Sequence, residues 1–226
     1  GRSMPPSPPT PPSPLGIQRV SLPPQPPKSQ PLPFQIDPGA ATSPTGVVLG
    51  SDSRSLLETS QNNSVTRWYP ISGEIHFSRL TRSQFREQLM RMKAGGLNQI
   101  AVYVFWIHHE EKKGSFIFTG RRDVKTFLTM AGELGLRVML RIGPWDHGEC
   151  RNGGHPDWVL DGSCGSKLRS NDPAYLSCVE GFYRALAEQT KGLYHKDGGP
   201  IISVQLDNET ADWNYLLSLK SLAQKV

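Results

Sequence analysis

Asn208-Glu209 follows an apolar run, Ile201–Leu206, that is itself introduced by the turn Gly198-Gly199-Pro200. A carboxyl group at the tip of a buried strand suits a general acid, because burial favours the protonated form. An amide beside it suits a sugar hydroxyl. Glycosidic cleavage needs an acid to protonate the leaving oxygen, and contacts to the 2-hydroxyl that strengthen in the transition state. In retaining enzymes a second carboxylate, about 5 Å away, attacks the anomeric carbon. Glu209 is thus the candidate acid/base and Asn208 the candidate hydroxyl ligand. Asp207 points away from Glu209 by strand alternation and reads as structural. An isolated Asn-Glu pair carries little weight, and a solvated surface carboxylate is the plain alternative; the place of this pair after its strand gives it meaning.

A second candidate segment is Arg141–Trp158, RIGPWDHGECRNGGHPDW. Gly143-Pro144 ends a strand abruptly. Gly148, Gly153 and Gly154 allow the backbone to approach a ligand closely. Trp145 and Trp158 offer flat faces for stacking on sugar C–H groups, and Glu149 can accept hydrogen bonds from hydroxyls. The plain alternative makes the tryptophans core and the glycines turns. His147, Glu149, Cys150 and His155 are metal-ligand types, but their spacing matches no zinc pattern. His108-His109-Glu110-Glu111 is not His-Glu-x-x-His, and adjacent histidines diverge; one of the two is expected to line the cleft. No cofactor is expected.

These residues need a scaffold that brings strand ends together. Tyr69–Phe77 reads as a strand. Thr81 with Gln84 forms a capping box before a helix carrying Phe85, Leu89 and Met92, closed by Gly95-Gly96. Gln99–Trp106 is a nearly continuous apolar strand of the kind buried on both faces. A helix from about Arg121 carries Val124, Phe127, Leu128, Ala131 and Leu134. Arg137–Gly143 is the third strand. Asp172-Pro173 starts a helix with Leu176, Val179, Phe182, Tyr183 and Leu186 inward. Ile201–Leu206 is the fourth strand, and a last helical stretch spans Tyr215–Gln224. Alternating strands and helices imply a parallel sheet with helical crossovers. A doubly wound sheet would show a glycine-rich phosphate loop after its first strand, and none is present. Polar groups instead follow every strand, as at the active rim of a (β/α)8 barrel: Glu74 and His76, then Tyr103 to Glu110, then Trp145 to Glu149, then Asn208 and Glu209. Four strands are half a barrel. The expected fold is a partial (β/α)8 TIM barrel, the first four βα units, over residues 67–226.

Residues 1–66 differ in texture. The chain has 226 residues and 20 prolines, fifteen of them before residue 45. Such a segment buries too little apolar surface to order itself, so a disordered or polyproline-II tail is expected. A ligand for a proline-recognising domain is the minority reading. The net charge of +5 is spread without a basic stripe, which argues against nucleic acid. No apolar run reaches the roughly 20 residues needed to span a bilayer, and the amino end lacks a signal-peptide apolar core. Cys150, Cys164 and Cys178 leave either a Cys150–Cys164 bridge or free thiols open. Asn62-Asn63-Ser64 is a glycosylation sequon if the chain is secreted.

With these residues in place, residues 69–209 resemble glycoside hydrolase family 35, the β-galactosidases, at the start of their catalytic barrel. The matching blocks, in family order, are Ile71–His76; Tyr103-Val104-Phe105-Trp106 with His109-Glu110; Arg141-Ile142-Gly143-Pro144 through Gly153-Gly154; and Gly198-Gly199-Pro200-Ile201-Ile202 through Asn208-Glu209. The resemblance implies that Glu209 is the acid/base, that Asn208 holds the 2-hydroxyl, and that Tyr103 and Glu149 contact a terminal galactose. His147 and Gly148 stand where many members have Cys-Ala, and Asp207 stands where Glu is commoner. The implied nucleophile is a glutamate near the end of strand seven, to which no residue here corresponds. The implied partners are a β-galactoside and the remaining barrel half. The implied compartment is secreted, vacuolar or lysosomal, or cell-wall. Another β-glycosidase or transglycosidase on this barrel, and a non-catalytic sugar-binding remnant, are the alternatives.

Overall fold

The structure, a computed structural model, describes residues 46–49, 56–59 and 65–226. Three short strands come first: β1 (Gly46–Leu49), β2 (Leu56–Thr59) and β3 (Val65–Trp68). They pair antiparallel in the order β1-β2-β3. Two of them fall inside the segment expected as tail to residue 66. The reason is local: the proline-rich run ends at Pro44, and Val47, Val48, Leu56 and Leu57 can then pair through free N–H groups. Residues 1–45, with the polyproline expectation, and the sequon at 62–64 lie outside the described residues.

The second sheet is parallel and runs in sequence order: β4 (Ser72–Ile75), β5 (Gln99–Tyr103), β6 (Arg137–Arg141) and β7 (Ile201–Gln205). There is no reversal of strand order, so no doubly wound switch point arises. β5 is buried along nearly its whole length, as its apolar run requires. A bulge at Val138/Met139 adjusts the register between β6 and β7. Tyr69–Ile71 precede β4 as an extended stretch held by Asn98, whose Nδ2 donates to Tyr69 O (2.7 Å) and whose Oδ1 accepts from Ile71 N (2.8 Å).

Crossovers follow the expected helices with shifted ends. α1 (Phe85–Ala94) buries Phe85 and Leu89, after a 3-10 turn in which Thr81 N donates to Gln84 Oε1 at 2.9 Å. Strand two was expected to reach Trp106, but Trp106–His109 is a helical turn, α2. The Trp106 indole donates to Glu110 four residues on (2.6 Å) and its ring stacks on Phe182, 5.2 Å away. α3 (Val124–Glu133) starts at Asp123, whose carboxylate caps Thr126 N at 2.9 Å, rather than at Arg121. A short α4 (Asp157–Leu160) leads to α5 (Pro173–Thr190), capped by Asp172 on Ala174 N at 2.9 Å. α6 (Trp213–Lys225) is capped by Asp212 on Tyr215 N. The core joins Phe77, Phe85 and Phe127 beneath α1 and α3 to Trp106, Val179 and Phe182 beneath α5. Truncating such a buried aromatic costs about 3–5 kcal/mol.

Cysteine pairing differs from both expectations. Cys164 is bonded to Cys178, and Cys150 is free and half-buried. The segment before α5 folds back so that Cys164 meets the first turns of that helix, with 6.0 Å between Cα atoms. No helix is long and apolar enough to cross a membrane among the described residues.

Candidate active site

The carboxyl ends of the four parallel strands form one rim. β6 ends in Arg141, which donates to Glu74 Oε2 (2.8 Å) on β4 and to Asn208 Oδ1 (2.6 Å) past β7. Its guanidinium lies 3.8 Å from the centre of the Tyr103 ring at the end of β5. One arginine thus ties all four strand ends together. Tyr103 stacks on Phe105 at 5.4 Å, and both meet the edge of His76. His76 Nε2 is 2.7 Å from Glu74 Oε1. Burial pushes the Tyr103 phenol up, with Arg141 opposing and Glu74, Asp146 and Glu149 adding to it.

Asn208 is buried. Its Oδ1 accepts from Arg141 and from Gln205 Nε2 (3.2 Å), which fixes the amide orientation and leaves Nδ2 as the group to offer a ligand. Asp207 is a hub, as its expected structural role requires. It accepts from Trp145 N (3.2 Å) and Arg169 Nε (3.2 Å), and its own N–H donates to Gly143 O (2.7 Å). Arg169 also donates to Asn208 O (2.6 Å) and Glu209 O (3.3 Å). Burial raises the Asp207 carboxyl even against Arg169.

Beneath this hub Asp146 is buried, and its Oδ2 lacks a partner among the described residues. Burial first, then Asp207, raise its carboxyl well above the ordinary range, against Arg141 and the Gly143 backbone.

Six side-chain-bearing residues adopt left-handed backbone: His147, Glu149, Asn152, Arg169, Asp207 and Glu209. Each such conformation costs about 1–2 kcal/mol and marks functional geometry when it clusters. His147, Gly148 and Glu149 do so consecutively, at φ 55°, 52° and 48°. A side chain at Gly148 would collide with Phe105, 2.7 Å from an ideal Cβ. Arg79 holds that turn by donating to Gly148 O. Glu149 is exposed and lines a cleft of about 370 Å³ with Ser78, Arg79, Phe105, Cys150 and Arg151. Glu209 is not buried as the strand-tip expectation had it: the chain has left β7 before it, its side chain is 78 % exposed, and its Oε2 lies 3.3 Å from His147 Nε2.

The expected site residues therefore gather at one rim: Tyr103, Asn208, Glu209, His147, Gly148 and Glu149. Other expectations change. Trp145 is not an open stacking face: Gly153 packs on its ring with no room for a Cβ, and Arg169 sits 4.9 Å from it. Trp158 is core, donating to Glu110 O at 2.9 Å and meeting Trp106 edge-on. His109 is fully buried, with Nδ1 on Ile117 O, and burial lowers it to about 3. His108, lowered by burial to about 4, contacts Arg121 O and borders the Glu149 cleft. His155 is buried against Tyr175 OH at 2.7 Å. Among the described residues no three His, Cys, Asp or Glu side chains converge as a metal site would need. The site also contains residues the sequence did not single out: Arg141, Gln205 and Arg169. A charged residue closing the run Val138-Met139-Leu140 could have flagged Arg141; no local signal marks Arg169.

A larger cavity, about 960 Å³, lies away from this rim, between α5, α6 and β7. It follows from the edge of β7, which no described strand pairs.

Comparison with known proteins adds three findings. The family model described as Glycosyl hydrolases family 35 matches residues 63–225. A protein named beta-galactosidase from Canis lupus familiaris is 43 % identical over 157 residues, covering 67 % of this chain and 23 % of the relative. That from Homo sapiens is 42 % identical over 155 residues, covering 66 % and 23 %. The chain thus spans about a quarter of the length of these relatives. Among solved structures, the exo-beta-1,4-mannosidase Op5Man5 from Opitutaceae bacterium strain TAV5 superposes with a TM-score of 0.60 at 15 % identity, covering 79 % of this chain and 33 % of its own. A GH5_18 protein from Streptomyces cattleya gives 0.54 at 16 %, covering 71 % and 42 %. These likenesses show the fold alone, that of part of an α/β barrel.

Proposed function

The chain belongs to glycosyl hydrolases family 35, and on that premise we propose that the whole protein is a retaining glycoside hydrolase that removes terminal β-D-galactosyl residues from β-galactosides. The observation that carries the reading is the strand-tip pair. Asn208 is locked by Arg141 and Gln205 with its amide donor left to offer, and Glu209 follows it at the open rim.

In the first step a carboxylate attacks the anomeric carbon, the bond to the leaving oxygen breaks, and Glu209 gives that oxygen its proton. In the second, water attacks the same carbon, Glu209 takes its proton, and the attacking carboxylate leaves. Asn208 Nδ2 donates to the 2-hydroxyl, Tyr103, Gly148 and Glu149 bound the galactose, and His147 stands beside Glu209. We assign the nucleophile to a later barrel strand, outside the four described here. Residues 67–226 would then be the first four βα units, with the open edge of β7 meeting the fifth strand, and residues 1–66 a leading segment. Alone, this chain should be inactive, since losing one of two cooperating groups removes most of the effect. The Cys164–Cys178 bond favours an oxidising compartment.

The test is hydrolysis of a chromogenic β-galactoside by the whole protein, with a panel of other aryl glycosides beside it. Glu209→Gln should lower turnover by about 10³-fold, within the range for a lost general acid. Unchanged turnover in that variant would remove Glu209 from the role. Preference for another glycoside would move the substrate class, and no turnover of any would leave a binding protein.

A further inference from the structure

We propose that His147 is a positioning residue for the acid/base: its imidazole anchors Glu209 Oε2, so that Oε1 faces the leaving oxygen. This rests on the reading of Glu209 above. Among the described residues, His147 is the one side chain in ion-pair range of the Glu209 carboxylate, with Nε2 3.3 Å from Oε2. That side chain is otherwise open, and a flexible glutamate left unanchored spends little time in one productive geometry.

His147 can act as an anchor because it is itself held. Its ring stands edge-on to Trp145, 5.1 Å between centres and 87° between planes. Trp145 is wedged against Gly153 and Arg169, and its backbone N–H is bonded to Asp207. The Glu209 side hangs from the same hub, since Arg169 binds Asp207 and the carbonyls of Asn208 and Glu209. Two left-handed residues, φ 55° at His147 and 53° at Glu209, thereby flank one half-buried ion pair, Arg169–Asp207. Strained positions persist where surrounding contacts over-determine them, and here the contacts hold the backbone from which the Glu209 carboxylate extends and the Trp145 ring against which the imidazole stands. An imidazole nitrogen facing one carboxylate oxygen leaves the other to carry the transferable proton.

The whole protein is tested with His147→Ala, His147→Gln and Glu209→Ala on two β-galactosides. One has a sugar or alkyl leaving group, which needs protonation. The other has 2,4-dinitrophenol, which departs without it. His147→Ala should lower kcat/KM on the first by about 30-fold, part of the range for general-acid catalysis, and on the second by no more than about threefold. His147→Gln, which keeps a donor near the same place, should recover most of the loss. The dinitrophenyl substrate also reports that each variant is folded. Equal losses on both substrates, or a rise in KM with kcat unchanged, would make His147 a sugar contact and overturn the proposal. No loss on either would overturn it as well. If Glu209→Ala is leaving-group selective while His147→Ala is not, only this inference fails. If Glu209→Ala loses nothing, the underlying reading fails.

Discussion

Strand β6 begins and ends with an arginine, and the two ends of the sheet treat them differently. At the bottom, Arg137 pairs with Glu58 of β2, fastening the antiparallel sheet beneath the parallel one. His195 lies 4.0 Å from the same carboxylate. At the top, Arg141 reaches Glu74, Asn208 and the Tyr103 ring at once. The backbone differs as well. Bottom turns take left-handed conformations at Gly96, Gly135, Gly192 and Gly198, where glycine does so without steric cost. Top loops, beside their own glycines, also place His147, Glu149, Asn152, Arg169, Asp207 and Glu209 there. The bottom is built for stability, while the top accepts strain to aim side chains.

The sharpest way to break this contrast is to neutralise each arginine. Arg141→Met should lower kcat/KM of the whole protein by about 10³-fold, or about 4 kcal/mol of transition-state stabilisation. Arg137→Met should leave kinetics nearly unchanged and cost about 2 kcal/mol of stability, because Glu58 loses its cation. Denaturant unfolding and steady-state rates on both variants decide. A large rate loss at Arg137, or none at Arg141, would erase the distinction.

The next effect concerns what holds Arg169. The Cys164–Cys178 bond closes a loop with a sequence separation of 14 that contains this residue. Replacing both cysteines with serine should cost about 3 kcal/mol. Activity should fall alongside stability, because Arg169 holds the carbonyls of Asn208 and Glu209. Full activity after reduction would separate the loop from the site.

A smaller effect is the pH dependence of stability, set by buried histidines and aspartates. Burial lowers His109 to about 3 and His155 to about 4, whereas an unfolded imidazole titrates near 6.5. Between those values the unfolded chain binds more protons, so stability falls as pH drops from about 6.5 toward 4. Asp146 and Asp207, raised by burial, oppose this from their folded values down to 3.8. His155→Phe should reduce the slope of unfolding free energy by up to one proton, about 1.4 kcal/mol per pH unit. An unchanged slope would show that His155 takes up its proton within the fold.

The smallest is Gly96→Ala. Nothing lies within 4 Å of an added Cβ, and φ is +88°. It should cost about 1 kcal/mol from backbone strain alone, with rates untouched.

Much of this was legible in the sequence. Gln99–Trp106 announced itself as an apolar run, Arg137–Gly143 as a strand, and Asp172-Pro173 as a helix start, the two strands ending at Tyr103 and Arg141. The rim residues Tyr103, Asn208 and Glu209 followed from their places after strands. What the sequence hid was tertiary. Trp106 looked like a strand end because its apolar ring suits either state; burial against Phe182 and the bond to Glu110 turned it into a helix. Cys164 found Cys178 because the segment between them doubles back, which spacing does not encode. β1 and β2 lay within a segment whose composition was dominated by prolines upstream. Arg169 sits in a loop of ordinary polar residues and gains its role only by reaching Asp207.

The most direct test of the central claim is azide rescue of Glu209→Ala in the whole protein, with 2,4-dinitrophenyl β-galactoside as substrate. Without its base, the variant should stall after the first step, and azide, which needs no deprotonation, should restore turnover and yield β-galactosyl azide. Hydrolysis at the wild-type rate with no azide product would show that the strand-tip carboxylate is not the acid/base.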